Sequence, residues 1–555
     1  MRSSFFGLNV ALSGLYTAQR GLDVVNHNIN NATTPNYSRQ MSVQSALPAM
    51  SVYDGTGMVG TGSQVTSVQR VHDEYLDFKY WSENTSYGEW NVKADQLQEI
   101  EGMLNEPSDS GFNKVMNDYF SAMQDLSKDP SSTAARKLVV GTGQTLTKYF
   151  NNAAVHLEKM QSDLNYSVKL KVDEINSLGS RIQQLNRQIY SAEADGNSAN
   201  DLRDQRTGLV DQLSKIINIQ ASEVVTGKLP NGQEEKHFVI TISGKTFVDH
   251  FTMSKLAATQ REQKLNVNED VGGLYDVKWE DGNSIDIKGG ELKGYLDMRD
   301  GNEGVNEGNG ASPNYKGVPY YIKRLNEFVR KFALAMNEGI TERTDSTGTL
   351  VFTKTCAGHA DGYGMQKPGQ STSPTGIRFF TSLGWSDSQN ANTELTSDEF
   401  IGAAGTVDEI GSLYQTLTAK NFCVGADLLH QESGEYNIAA SGSAGQPEDA
   451  SNLMTMIDMR HNTHLFVEGA PEDYMKSLIS TLGIDSQQST QIIEIQENVT
   501  QQIENRRVSV SGVSLDEEMA NMIKYQHAYN AAAKMISTFG EIYDTLVNRV
   551  GMAGR

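Results

Sequence analysis

The sequence predicts a multidomain α+β protein: an elongated, coiled-coil-like α-helical body built from both termini, with two inserted β-rich outer domains. Three observations carry that expectation. Apolar residues recur at alternating spacings of three and four at both chain ends and along a central stretch. The period shortens to two near residues 238–248. The 555 residues also exceed one compact core, since a domain takes about 100–200.

At the N-terminus Leu8, Ala11, Leu15, Ala18, Leu22, Val25 and Ile29 form an unbroken apolar heptad row opposite Asn9, Ser13, Gln19 and Asp23. The polar run Asn30-Asn31-Ala32-Thr33-Thr34-Pro35 ends that helix. Short amphipathic helices are expected over 97–104 and 112–126, separated by Glu106-Pro107-Ser108. A longer heptad row follows through Leu157, Gln161, Leu164, Val168, Lys171, Ile175, Leu178, Ile182, Leu185, Ile189 and Ala192. Asp195-Gly196-Asn197 closes it, and helix resumes through Leu209, Leu213 and Ile216.

Phe238–Ile242 and Phe247-Val248 then read as strands joined at Ser243-Gly244, with a further turn at Asp281-Gly282-Asn283. Val318, Ile322, Leu325, Phe328, Val329, Phe332, Met336 and Ile340 restore a helix. A second stretch rich in Gly, Ser and Thr precedes helical pattern from Ala450 to Arg507. Ser514 and Glu517 make a capping box ahead of the last row: Leu515, Met519, Met522, Gln526, Tyr529, Ala533, Ile536, Gly540, Tyr543, Val547 and Val550.

The expected organisation is therefore nested. Terminal helices span 1–35 and 515–555, a helical body 36–220, 290–340 and 448–514, and β-rich outer domains 221–289 and 341–447. Isolated helices are marginal in water, because nucleation is costly and stability comes from packing one face. The terminal helices are accordingly expected to be disordered in the monomer and to order on assembly. Their candidate interface residues are Leu8, Leu15, Leu22, Val25 and Ile29, with Leu515, Met519, Met522, Tyr529, Ile536, Tyr543 and Val547.

Composition narrows the function. With 47 Lys+Arg against 69 Asp+Glu the net charge is -22, which repels a phosphate backbone, so nucleic acid is not an expected partner. Cys356 and Cys423 are too few for a disulfide framework. No run of 18 apolar residues occurs, so no membrane partner is expected, and the start lacks a signal-peptide cleavage pattern.

Gly141-Thr142-Gly143 with Lys148 lacks the spacing of a phosphate loop. His461 and His464 lie three apart on an expected helix but lack a third ligand. Asp300-Gly301-Asn302-Glu303 fails the ligand order of a calcium loop and reads as a mobile loop. No catalytic residue, metal or cofactor is expected, and the protein is not read as an enzyme.

Several motifs resemble the axial proteins of the bacterial flagellum, and among them the hook-associated protein 1 (FlgK) family of the hook-filament junction. These are Asn28 through Gln40, ending Asn36-Tyr37-Ser38-Arg39-Gln40; Val65 through Leu76; Asn200-Asp201-Leu202-Arg203-Asp204-Gln205-Arg206; Gly289 through Asp300; and Asn505 through Glu518, followed by Tyr525 through Lys534. Asn36 stands where the family usually has glycine, a position asparagine also tolerates at positive φ. The Arg39-Gln40 ending separates this family from the hook subunit.

The resemblance implies a structural subunit that polymerises through its terminal helices. It also implies export through the flagellar type III apparatus without a cleaved signal, and an extracellular place in the flagellum. The implied partners are the hook protein, a second junction protein (FlgL-like), an export chaperone (FlgN-like) at the C-terminal helix, and further copies of the chain. Alternatives are the hook subunit itself, or a secreted adhesin or enzyme active in the 341–447 domain, where Asp387, Asn390 and Asn392 are candidate sugar contacts.

Overall fold

The computed structural model describes residues 5–51, 57–104, 111–194, 196–228, 234–345, 349–386, 391–431 and 433–549. The expected turns at 106–108 and Asp195, the residues Asp387 and Asn390, and Val550 lie outside them. The chain is mixed helix and strand, with long helices and small sheets. Helix α1 (Phe6–Asn30) ends where its polar run begins: the Asn31 amide donates to the His27 and Asn28 carbonyls, and Asn36 takes φ 61°. A ribbon follows, β1 (Gln40–Ala46) antiparallel to β4 (Ser63–Arg70), with β2 (Met50–Ser51) and β3 (Met58–Val59) paired beyond it.

Next come α2 (Glu74–Leu104), α3 (Phe112–Lys128), α4 (Thr133–Ala194) and α5 (Asn200–Ile216). Only the last eight residues of α2 were legible as helix, because residues 74–96 bury a polar face (Asp77, Asn84, Thr85 and Lys93) that hides the period. Helix α4 runs 62 residues, about 93 Å at 1.5 Å per residue. Its buried stripe passes through Leu157, Gln161, Leu164, Val168, Val172, Ile175, Gly179, Ile182, Asn186 and Ile189. That spacing stays near 3.6, whereas a strict 3.5 row drifts about 20° per heptad around a straight helix. Lys171 consequently turns out of the stripe and pairs with Glu174 at 2.9 Å and Glu291 at 2.8 Å.

A four-stranded antiparallel sheet forms from β5 (Gln220–Lys228), β6 (Glu234–Ile242), β7 (Lys245–Asp249) and β8 (Thr252–Met253). Ser243 and Gly244 both take positive φ, as a type I′ hairpin turn requires. The sheet's inner face shares a core with α4 and α5. Phe247 lies so close to Gly179 that a Cβ there would meet its ring at 2.5 Å.

Strands β9 (Leu256–Gln260) and β10 (Tyr275–Trp279) lead to α6 (Glu291–Asp300) and α7 (Val318–Glu338). Asp300 to Asn302 departs from the expected mobile loop. Asp300 and Asn302 are buried, and Arg299 and Arg261 clamp the Asp300 carboxylate at 2.6 and 3.0 Å.

The remaining chain holds β11 (Ile340–Thr344), β12 (Leu350–Lys354), β13 (Phe380–Ser386), β14 (Ala391–Glu394), α8 (Ser397–Ile401), α9 (Val407–Tyr414), β15 (Phe422–Val424), α10 (Ala426–Leu429), α11 (Ser451–Asp458), α12 (Pro471–Ser511) and α13 (Leu515–Asp544). Capping boxes start α8 at Thr396 and Glu399 and α9 at Thr406 and Glu409. The segment's apolar residues join one core with α3, α4 and α7, where Phe328 stacks on Phe150 at 5.0 Å and on Phe466 at 5.2 Å. His461 ends a short 3-10 helix and His464 lies in a turn beyond it, so the two do not share a helix face. Gly141 to Gly143 lies inside α4.

Candidate assembly interface

Helices α1 and α13 pack antiparallel, bringing the two chain ends together. Their seam is built from large rings over small residues. A Cβ on Gly21 would lie 2.7 Å from the Tyr525 ring and one on Gly7 would lie 2.4 Å from the Phe539 ring, while Phe5 meets Tyr543 at 5.1 Å. Ala11, Ala18, Gly21, Val25 and Asn28 are the buried row on α1. Leu8, Leu15, Leu22 and Ile29 sit half-buried on its rim, because the ring-bearing side chains opposite leave room only for Gly and Ala at the centre.

On α13 the half-buried residues include Met522, Tyr525, Tyr529, Ala532, Ile536, Phe539 and Tyr543, again spaced three and four apart, with Glu518 buried one step ahead. Met522, Tyr529, Ile536 and Tyr543 thus lie on the side toward α1. Leu515, Met519 and Val547 do not: they are exposed at 50%, 50% and 74%. Tyr525 and Phe539 were missed. A signal for them existed in Gly7, Gly14 and Gly21, three glycines seven apart in one helix.

The exposed apolar residues have an order of their own. Leu515, Met519 and Ile523 step four apart on one flank of the α13 seam, and Met535, Ile542 and Leu546 occupy the other at helical spacing. On α1, Leu12 and Tyr16 are exposed as well. A two-helix pair with apolar rows on both flanks is a bundle fragment with places for further helices.

The pair meets the body at an elbow where four of the sequence motifs converge. The Asn28 side chain donates to the Gln40 carbonyl and accepts from the Gln40 amide, both at 2.9 Å, and it accepts from the Tyr37 hydroxyl at 2.8 Å. Burial raises the Tyr37 phenol above its ordinary range, with Asp201 and Asp204 adding to the shift. The Ser38 amide donates to Asp204, which also pairs with Arg70 at 2.9 Å. The Arg39 amide donates to the Ser511 carbonyl and its guanidinium pairs with Glu517, both across the chain ends. Ser514 caps the Glu517 amide, so the expected capping box is half made, with the Glu517 carboxylate turned to Arg39.

Beneath this lies a charge cluster. Helix α12 runs antiparallel to α2, and Arg507 in its last turn pairs with Asp77 of α2 at 3.0 Å, Asp211 of α5 at 3.1 Å and Glu504 at 3.1 Å. Its guanidinium lies 4.6 Å from the Tyr80 ring centroid. His72 meets Asp77 at 2.6 Å, and the Trp81 indole donates to Asp211 at 2.6 Å. Burial pushes the Asp211 carboxyl up to about 6, against the pull of Arg507. Sequence reading could not find these acids, since their partners are far away along the chain.

Among the described residues no group of three or more His, Cys, Asp or Glu side chains is placed to hold a metal ion, and no helix is long and apolar enough to cross a membrane. The protein's relatives are consistent with an assembly role. Residues 97–351 match the family model described as the flagellar hook-associated protein FlgK helical domain, and residues 504–549 match the flagellar basal body rod FlgEFG protein C-terminal model. The chain is 31% identical to flagellar hook-associated protein 1 of Bacillus subtilis (strain 168), over 100% of both chains. It is 25% identical to the protein of that name in Escherichia coli (strain K12), over 98% of this chain and 99% of the relative. The fold is similar to the flagellar hook junction protein FlgK of Burkholderia pseudomallei, with a TM-score of 0.50 and 13% identity, over 79% of this chain and 100% of that one.

Proposed function

The chain belongs to the family of flagellar hook-associated protein 1, and on that premise we propose that it works as a structural, non-enzymatic subunit of the hook-filament junction, polymerising through its terminal helices. The observation that carries this reading is the α1–α13 pair, whose apolar rows at Leu515, Met519 and Ile523 and at Met535, Ile542 and Leu546 are left in solvent on both flanks. Copies meeting flank to flank make a heterologous contact, which propagates around a ring or tube. Leu8, Leu15, Leu22 and Ile29 are half-buried in the single chain and complete their burial against neighbours. Burying a leucine contributes about 1.5–3 kcal/mol, so a few such anchors offset the cost of ordering the helices.

Before assembly the terminal helices are disordered, which keeps the apolar rows from associating early. The subunit leaves the cell unfolded through the flagellar type III apparatus, escorted by a FlgN-like chaperone on the C-terminal helix. Once outside, it sits between the hook protein and a FlgL-like second junction protein. The body with its two β-rich segments forms the outer part of an elongated subunit. The match of residues 97–351 to the hook-associated family weighs against a hook subunit.

The test is charge insertion in the seam. Leu15→Asp and Ile536→Asp are expected to leave the body's melting and circular dichroism unchanged while abolishing incorporation into flagella of a strain lacking its own copy. Normal filaments from either variant refute the interface.

A further inference from the structure

Arg507 lies four residues before the end of α12 at Ser511 and eight before α13 starts at Leu515, and what it holds is out of proportion to one surface arginine. Its side chain is 12% exposed and faces Asp77 on α2, Asp211 on α5 and Glu504 on its own helix, with the Tyr80 ring beneath. Asp77 and Asp211 are 4% and 11% exposed at the side chain. Without the guanidinium, two buried carboxylates would face each other with, among the described residues, only the His72 and Trp81 side chains to hold them. One turn above, the Ser511 carbonyl that follows Arg507 on α12 takes the Arg39 amide. The segment carrying Arg39, just ahead of β1, is in turn tied to α5, because the Ser38 amide donates to Asp204 and Gln40 pairs with Asp201 at 2.6 Å. Both chain crossings of the elbow therefore rest on one base, in which Arg507 is the cation shared by Asp77, Asp211 and Glu504 while Arg70 pairs with Asp204.

We propose that Arg507 is an electrostatic clasp that keeps the elbow formed while the terminal helices are still unpaired, so that both leave the body in a fixed direction and position for assembly. This rests on the assembly reading above and adds a device to it. Presetting the exit direction removes part of the ordering cost that each incoming subunit would otherwise meet. Losing the cation leaves uncompensated buried charge, which is more disruptive than replacing the whole cluster by neutral groups. The raised Asp211 carboxyl is the signature of a site that already strains to stay ionised.

Amide exchange on the dilute full-length chain tests the clasp without depending on assembly. The peptide covering 36–40 should be protected in the parent. Arg507→Ala should speed its exchange at least tenfold, while peptides within 112–160 keep the parent rate. The triple variant Arg507→Gln, Asp77→Asn, Asp211→Asn, which removes the guanidinium together with the two buried carboxylates it faces, should return 36–40 to within about threefold of the parent, which a purely steric role for the arginine does not allow. Unprotected 36–40 in the parent, equal acceleration throughout the body, or no recovery in the triple variant each overturns the clasp. The assembly reading has its own separate test in Leu15→Asp and Ile536→Asp.

Discussion

Three glycines in α1, seven residues apart, permit a graded test of how the chain ends pack. Alanine at any of them gains about 1 kcal/mol of helix propensity over glycine. At Gly14 nothing lies within 4 Å of the added Cβ, so that gain stands alone. At Gly21 the Cβ falls 2.7–2.9 Å from Cε1, Cδ1 and Cγ of Tyr525. Because Cγ is among them, rotating the ring cannot relieve the contact, and the helices must shift at a cost of about 1–3 kcal/mol. At Gly7 only the far end of the Phe539 ring is met, which moves more easily. The order of seam stability should be Gly14→Ala, then Gly7→Ala, then Gly21→Ala, with the extremes about 1–3 kcal/mol apart. Amide exchange of α1 peptides in assembled flagella reads this difference as about 5- to 150-fold in rate. If Gly21→Ala exchanges no faster than Gly14→Ala, the ring-over-glycine seam is refuted.

Other outcomes follow from the body. His250 is buried in a left-handed turn, its ring stacked 4.2 Å from His237 and tilted against Phe251 at 4.0 Å, with Tyr190, Arg206, Glu235 and Asp249 around it. Burial first, then His237 and Arg206, lower its pKa from 6.5 to about 4. The unfolded state therefore takes up a proton below about pH 6.5 that the folded state refuses, and stability falls as pH drops toward 4. Exchange at 237–253, corrected for intrinsic rate, should accelerate from pH 7 to 4.5, and His250→Phe should remove that dependence. Phe247→Ala deletes a fully buried ring over Gly179 and should cost about 3–5 kcal/mol in urea unfolding. A loss under 1 kcal/mol means the sheet is not anchored on α4.

How far the sequence could be read depended on what each helix buries. The α4 stripe was visible because its residues are aliphatic; its drift at Lys171 and Leu185 was not, since a 3.5 and a 3.6 row coincide over two or three turns. On α13 apolar residues cover much of the circumference, so a row through Leu515 and Met519 looked as good as the row toward α1 through Tyr525 and Phe539. On α1 the row through Ala11 and Ala18 was legible, but the leucines were read as its anchors and Gly21 was not read at all, although fit with the facing Tyr525 ring selects a small side chain there. The elbow motifs were legible as motifs, but their convergence was not. Asn28, Asp204, Asp211 and Arg507 meet only through tertiary structure, which no local period encodes.

On the assembly reading proposed above, the two chain ends become ordered by joining one another and their neighbours. Hydrogen exchange of segments 6–30 and 515–544, compared between the dilute isolated chain and assembled flagella, tests it most directly. Near-intrinsic rates in the isolated chain and strong protection after assembly are the predicted result. Equal, strong protection in both states would contradict it.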